Sequence, residues 1–329
     1  MGTVFEVNRE SLVKRLVLID GFGRSGKFFL GKIISGLKGM EYFQSVNAIE
    51  YVGFMRRLGG LTEDAAVALL KSLIDEYSYN MHIGRNINFR HQDASSIYNS
   101  HEVEEYVKRS VTAIGGQDLT NEQIIESFRN GFRYSLFVVH HTLPNIGIYI
   151  KAYPQLKIVE LIRHPVDVAH SWFVRGWGHR FGTDPLALSP VISGVSGSVP
   201  WYVSGSEKKY EESCEVDRII MCLSSLTTLC KKSISSLPIE PVGNILFVRY
   251  EDLVEKTYDV LEKMGGFLGT ESSEGMSVIC AREKCPNTIS LANRANKLKI
   301  LRDGASAQGI EVLESLAEEY ENRANPYVE

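Results

Sequence analysis

The residues with the clearest potential for chemistry form a glycine-rich loop near the N-terminus. Residues 21–27 read GFGRSGK, in which Gly21, Gly26 and Lys27 have the G-x-x-x-x-G-K spacing of a phosphate-binding loop. Glycine permits the tight turn in which backbone N–H groups converge on an anion, and a following helix adds the positive end of its dipole. Arg24, Ser25 and Lys27 add positive charge and further donors. The loop therefore predicts a site for a phosphorylated ligand.

Phe28 limits the chemistry that this loop can support. A magnesium-dependent hydrolase or kinase needs Ser or Thr directly after the loop lysine to hold the metal, and this chain has Phe28 there. Chemistry that relies on cationic side chains alone remains possible. The loop therefore favours a metal-free transferase, and a kinase acting on a small molecule stays open as an alternative because the spacing supports it.

A second segment has the residues for another phosphate site. Residues 163–171 read RHPVDVAHS, so that Ser171 follows Arg163 by eight residues. Pro165 suits the first turn of a helix, and Asp167 complements the helix dipole. Arg163 offers a guanidinium fork and Ser171 a hydroxyl, which together suit a phosphate monoester.

Short apolar runs predict the strands that must position these residues. Residues 15–20, 134–139, 157–162 and 245–250 have strand length and are separated by helical or loop segments. Such runs are typical of a parallel sheet covered on its faces. Helical spacing of apolar residues predicts helices at 27–37, 62–77, 102–114, 211–233 and 312–320.

Composition indicates a packed globular protein. The chain has 329 residues, of which 44% are hydrophobic and 23% charged, and its formal net charge of −4 does not favour a nucleic-acid partner. We expect one domain over residues 1–329, with insertions near 53–131 and 176–205 that shape the acceptor site. The second insertion is rich in Gly, Ser and Pro, and it fits either a mobile lid or an ordinary surface loop.

The remaining features predict what the protein lacks. The five cysteines contain no CxxC pair and no histidine spacing for zinc, so reduced thiols and no metal are expected. The first twenty residues contain no apolar stretch long enough for a signal peptide or a membrane span. A cytoplasmic location and no membrane span are therefore expected.

Together these segments resemble the sulfotransferase superfamily. The resemblance rests on GRSGKFFL at 23–30, LIRHPVDVAHSWF at 161–173 and ILFVRYEDLVEKTYDVLEKMGGFLG at 245–269, which occur in the family order. It implies an α/β fold of three layers, P-loop-like, with a central parallel sheet flanked by helices. It also implies a sulfotransferase that moves a sulfuryl group from 3′-phosphoadenosine 5′-phosphosulfate (PAPS) to a hydroxyl or amine acceptor and releases the bisphosphate PAP.

The resemblance also assigns residues to the donor. The residues implied to surround its 5′-phosphosulfate are Gly23, Arg24, Ser25, Gly26, Lys27 and Phe28. Arg163 and Ser171 would hold the 3′-phosphate, Phe29 would lie near the adenine, and Arg302 would cover the 3′-phosphate. Many members have Thr-Thr where this chain has Lys27 and Phe28, and a lysine where it has Arg24. A catalytically inactive protein that keeps the nucleotide pocket is a further alternative.

Sulfuryl transfer also needs cations that stabilise developing negative charge and a base that accepts a proton. Negative charge builds on the bridging oxygen of the donor, and Arg24 and Lys27 are the cations expected to stabilise it. The acceptor proton needs a general base. The resemblance offers Glu50, expected at the end of the second strand, and His141, with Glu50 preferred. The identity of the acceptor, whether a sugar, lipid, phenol or small alcohol, and the oligomeric state stay open.

Overall fold

The structure of the chain is a computed structural model that describes residues 5, 7–115, 120–131, 133–238 and 242–327. Its residues group into two compact units. The first comprises Met1–Gly21, Gly26–Leu161 and Pro238–Asn287. The second comprises Phe22–Ser25, Ile162–Leu237 and Thr288–Glu329. One domain over the whole chain stays a prediction.

A parallel sheet of five strands lies at the centre of the first unit. Among the described residues, the strands are β1 (Leu16–Asp20), β2 (Gln44–Ser45), β3 (Ser135–Val138), β4 (Lys157–Ile162), β5 (Val191–Ser193), β6 (Ser198–Pro200) and β7 (Ile245–Arg249). The sheet order is β2-β3-β1-β4-β7, so β1 is the central strand. Every residue of β1 is buried because strands cover both of its edges and helices flank the sheet.

Helices occur throughout the described residues. They are α1 (Lys27–Ile34), α2 (Asn47–Arg57), α3 (Glu63–His82), α4 (Val103–Gly115), α5 (Asn121–Asn130), α6 (Ile146–Ala152), α7 (Pro165–Phe173), α8 (Glu207–Glu212), α9 (Glu215–Ser235), α10 (Tyr250–Glu255), α11 (Thr257–Leu268), α12 (Met276–Arg282), α13 (Leu291–Gly304) and α14 (Ala307–Asn322). In the described ranges, no helix has the length and apolar character needed to cross a membrane.

Local sequence explains where the site-bearing helices begin. Helix α1 follows the glycine loop and buries Leu30, Ile33 and Ile34, whose i, i+3, i+4 spacing forms one apolar face. Helix α7 begins at Pro165, and the His164 side chain accepts a hydrogen bond from the backbone N–H of Val166. These helix starts place one predicted phosphate-binding segment at the end of β1 and the other at the end of β4.

The predicted α/β fold with a central parallel sheet flanked by helices is confirmed. The four apolar runs are strands β1, β3, β4 and β7. Periodicity did not predict strand β2, because two residues carry none; only the family resemblance implied a second strand, which was expected to end at Glu50. Residues 176–205, predicted as a loop, contain the antiparallel hairpin of β5 and β6, and Trp201 directly after it is buried. Strands of three residues are too short for an alternating pattern to show.

Candidate active site

The loop after β1 turns through left-handed backbone conformations. Gly21 has a φ of 140° and Gly26 a φ of 108°, which suit glycine. Arg24 lies between them with a φ of 67°, a strained conformation for a residue with a side chain. A Cβ on Gly26 would come within 2.7 Å of the Tyr250 ring. Gly26 is therefore required both for its conformation and for space.

Lys27 is a buried cation at the start of α1. Only 3% of the residue is exposed, and its ammonium donates to the carbonyl oxygen of Gly21. Burial lowers the pKa of Lys27 to about 8, while the negative charges of Asp20, Glu160 and Glu50 oppose that shift. Lys27 therefore holds a proton that it can lose near neutral pH.

Two facing carboxyl groups lie beside this lysine. Asp20 on β1 pairs in register with Glu160 on β4, and both are buried. Burial, with the charge of Asp20, raises the pKa of Glu160 well above its usual range. Sequence reasoning missed both as site residues, although a charged residue in each apolar strand run was the available signal.

Asp20 also fixes the turn that follows β3. Its Oδ2 accepts hydrogen bonds from the backbone N–H groups of Thr142 and Leu143, both at 2.7 Å. The hydroxyl of Thr142 donates to the same oxygen. The carboxylate thereby sets the path of the chain directly after His141.

Removing this carboxylate should destabilise the protein. Asp20→Ala is expected to lower the free energy of unfolding by roughly 2–4 kcal/mol, because two buried N–H groups lose their acceptor. Asp20→Asn keeps an oxygen that can accept the same bonds, so its loss should be clearly smaller. Urea unfolding of both variants measures this difference. Equal losses for the two variants would contradict the role given to Oδ2.

The two candidate bases, Glu50 and His141, form one pair. Nδ1 of His141 lies 3.4 Å from Oε1 of Glu50, and the two side chains are 6% and 7% exposed. His141 has a φ of 51°, a strained value that concentrates at functional positions. The sequence treated these residues as alternatives, and the structure brings them together.

The location expected for Glu50 was wrong in one respect. Glu50 does not end the second strand, because β2 stops at Ser45. It lies in the first turn of α2, where the helix dipole favours a carboxylate. The Tyr149 hydroxyl donates to the carbonyl oxygen of Ile49 at 2.9 Å and so fixes this turn.

In the second unit, three arginines form a cluster. Nη1 of Arg163 donates to the carbonyl oxygen of Arg24 at 2.9 Å, and Nη1 of Arg175 donates to Oγ of Ser171 at 3.1 Å. Burial, then the charges of Arg175 and Arg163, lower the pKa of Arg24. In the described part of the chain, no carboxylate lies within ion-pair distance of Arg24 or Arg175. Like charges that lie this close together suit the binding of an anion.

Further contacts in this unit fix the loop residues. Nε1 of Trp172 donates to the carbonyl oxygen of Gly23 at 2.8 Å, and the Trp177 ring lies against the same glycine. Ser25 is 1% exposed, and its hydroxyl has no hydrogen-bond partner among the described residues. A buried hydroxyl without a partner is costly unless a ligand satisfies it.

Arg175 is a member of the cluster that sequence reasoning missed. It follows Ser171 by four residues, which is the spacing of neighbours on one helix face. That spacing was the available signal. Asp167 was expected to complement a helix dipole, and in the structure it is paired with Arg294 at 3.0 Å and Lys297 at 2.6 Å.

Three other predicted donor residues have protein partners. The Phe28 ring packs edge-on against Phe43, and the Phe29 ring packs edge-on against Tyr250. The guanidinium of Arg302 is paired with the carboxylate of Glu314 and is exposed. The donor contacts assigned to Phe28, Phe29 and Arg302 stay predictions.

Comparison with known proteins gives a family match. The family model described as the sulfotransferase domain matches residues 16–290, which include the loop, the pair of candidate bases and the two arginines that flank α7, Arg163 and Arg175. No curated protein sequence matches the chain.

Several solved structures are similar to the chain. A sulfotransferase from Mycobacterium avium is 10% identical, with 96% of this chain and 78% of that chain covered and a TM-score of 0.48. The sulfotransferase domain of the Synechococcus PCC 7002 olefin synthase is 14% identical, with 98% and 93% covered and a TM-score of 0.42. A mouse sulfotransferase complexed with PAP is 12% identical, with 94% and 86% covered and a TM-score of 0.38.

Proposed function

The chain belongs to the sulfotransferase family, and on that premise we propose that it transfers a sulfuryl group from PAPS to a hydroxyl or amine acceptor. The sulfotransferase resemblance of its motifs is confirmed, and the structure has the expected central parallel sheet flanked by helices. The observation that carries the proposal is the cluster of Arg24, Arg163 and Arg175, in which the charges of Arg175 and Arg163 disfavour the charge of Arg24 and so favour an anion beside it. The requirement for PAPS, the absence of a metal requirement and the cytoplasmic location are proposed with it.

The chemistry of the described residues fits such a donor. A phosphate monoester accepts bidentate bonds from guanidinium groups, and the guanidiniums of Arg24 and Arg175 have no carboxylate partner in the described ranges. The unpartnered hydroxyl of Ser25 needs an acceptor or donor of the kind that a phosphosulfate provides. Arg163, Arg175 and Ser171 would hold the 3′-phosphate, and the loop residues the 5′-phosphosulfate.

The reaction forms a bond between the acceptor oxygen or nitrogen and sulfur while the bond from sulfur to the bridging oxygen breaks. PAPS supplies the sulfuryl group, and the bridging oxygen leaves with PAP and keeps the electron pair. Lys27 and Arg24 would stabilise the negative charge that develops on this oxygen. These cations raise the rate because that charge is greater in the transition state than in the ground state.

We propose that His141 and Glu50 act together in removing the proton of the acceptor. His141 would take the acceptor proton, and Glu50 would hold the ring through Nδ1 and stabilise the charged imidazole. Histidine is a frequent general base near neutral pH. Glu50 is then a positioning residue, which replaces the sequence-based preference for Glu50 as the base.

Loss of the proton of Lys27 is expected to slow the reaction at high pH. Its pKa is about 8 instead of the ordinary 10.5, so the ammonium charge is lost as the pH rises through about 8. The kcat/KM for PAPS is therefore expected to fall there, because this parameter reports groups of the free enzyme. The arginine in Lys27→Arg keeps its charge to higher pH, so kcat/KM for PAPS should fall less in this variant as the pH rises. A wild-type profile that stays level well above this pH would contradict the role of Lys27.

Turnover tests the proposal. The purified protein is incubated with radiolabelled PAPS and a mixture of hydroxyl and amine acceptors in the presence of EDTA. We expect PAP and sulfated acceptor to form in equal amounts, and both to be strongly reduced in Arg163→Ala. Phosphorylation of the same acceptors by ATP with magnesium, without release of PAP from PAPS, would support the kinase alternative instead.

A further inference from the structure

A cavity of about 440 Å³ lies in the first unit beside strand β2. Such a volume is in the range of small-molecule sites. The described residues that line it carry aromatic, aliphatic, amide and hydroxyl groups and include no charged side chain. Several of them, including Tyr77 and Asn86, come from the insertion predicted to shape the acceptor site. The lining is therefore suited to an uncharged ligand.

The cavity adjoins the residues proposed for the reaction. The Phe43 ring lines it and packs edge-on against Phe28, the residue directly after Lys27, with 5.7 Å between ring centroids. Val46 also lines it and directly precedes α2, whose first turn carries Glu50. A molecule in the cavity thus contacts Phe43, which packs against the residue after Lys27, and Val46, which precedes the helix that carries Glu50.

Polar groups in the lining are available to a ligand. Among the described residues, the side chains of Ser45 and Asn86 and the hydroxyl of Tyr77 make no hydrogen bond. The amide nitrogen of Gln44 reaches the carbonyl oxygen of Tyr77 at 3.4 Å, and its amide oxygen has no partner in the same ranges. By contrast, Asn88 is engaged, because its amide donates to Asp93 and Ser95.

A second cavity in this unit differs in its chemistry. It has about 490 Å³ and is lined in part by Glu41, Glu105, Arg109 and Arg133. These charges already pair with one another, for example Arg109 with Glu41 at 3.0 Å. Charged groups that already pair with one another gain little from binding a ligand, so the uncharged cavity is the better candidate for a ligand site.

We propose that the uncharged cavity binds the sulfuryl acceptor, and that this acceptor is a neutral ring with several hydroxyl groups, such as a pyranoside or a cyclitol. This inference rests on the proposed function. Phe43 and Tyr77 supply aromatic side chains to the lining, which suit the apolar parts of such a ring, and the amide and hydroxyl groups can bond its hydroxyls. A phenol, with one hydroxyl, would leave most of these polar groups without partners.

Binding without donor tests the inference. Methyl β-D-glucopyranoside, the corresponding methyl glucuronide and phenol are titrated by ligand-observed NMR. We expect the neutral glycoside to bind at least about tenfold more tightly than the uronate or phenol, because a buried carboxylate would have no cation and phenol too few hydroxyls. Asn86→Leu should weaken the glycoside roughly tenfold, the effect of one lost hydrogen bond that leaves a polar group unpaired. Asn130→Leu, at an exposed amide on α5, is the matched control and should bind as the wild type does.

The outcomes separate this inference from the function on which it rests. Phenol or the uronate binding more tightly than the glycoside, or a glycoside affinity unchanged in Asn86→Leu, would overturn the assignment. PAP is titrated on the same samples. If the wild-type protein binds PAP but not the glycoside, only this inference is contradicted. If it does not bind PAP, the proposed function is contradicted.

Discussion

His141→Ala should lower kcat by roughly 10²–10⁴, because proton transfer by a positioned side chain contributes about that factor. The KM for PAPS should change little, since the donor contacts are assigned to other residues. Glu50→Gln should cause a smaller loss, because the ring remains but its carboxylate partner becomes a neutral amide. The readout is kcat as a function of pH at saturating donor and acceptor.

The conservative variant distinguishes positioning from a merely structural role of Glu50. In Glu50→Gln kcat should fall while the free energy of unfolding stays near that of the wild type, and Glu50→Asp, which keeps a carboxylate, should restore part of the lost kcat. A structural role would lower the free energy of unfolding together with kcat. His179→Ala is the matched control, since His179 is exposed and pairs with Glu215. A larger loss for Glu50→Gln than for His141→Ala would make Glu50 the base and contradict the assignment made here.

Arg163→Ala should weaken PAP binding by roughly ten- to a hundredfold. A hydrogen bond to a charged group contributes about 1.5–3 kcal/mol, and each 1.4 kcal/mol is tenfold in affinity. Arg175→Ala should show a similar loss, because Arg175 shares the cluster and contacts Ser171. Calorimetric titration measures both variants in the absence of magnesium.

The control for the arginine prediction is a surface ion pair. Arg323→Ala removes an exposed guanidinium that pairs with Glu319 at 3.3 Å, and such pairs contribute little. Its PAP affinity should equal that of the wild type. Equal losses in Arg163→Ala and Arg323→Ala would indicate a general effect of net charge and not a phosphate site.

The local parts of this site could be predicted from the sequence. A strand followed by GFGRSGK and a helix is a short-range pattern, and so is an arginine at a strand end with a serine in the next helix. The bounds of β4 were predicted residue for residue, because an apolar run of six residues bounded by a turn and a helix start leaves little choice. These patterns were sufficient to identify the family.

The tertiary parts could not be predicted. The contact between Glu50 and His141 joins residues 91 positions apart in the chain, and no local pattern reports it. The same holds for Asp20 and Glu160, which meet because β1 and β4 are neighbours. The lining of the uncharged cavity likewise depends on where α3 and the loop after it lie beside β2. Such contacts can be identified only from the three-dimensional fold.

The proposed function requires that this protein bind the nucleotide of a sulfuryl donor without metal. This binding can be measured by calorimetric titration of the wild-type protein with PAP in EDTA, beside a titration with ATP and magnesium. We expect PAP to bind without metal at one site per chain and more tightly than ATP with magnesium. Tighter binding of ATP with magnesium, with no heat from PAP, would rule out the proposed function.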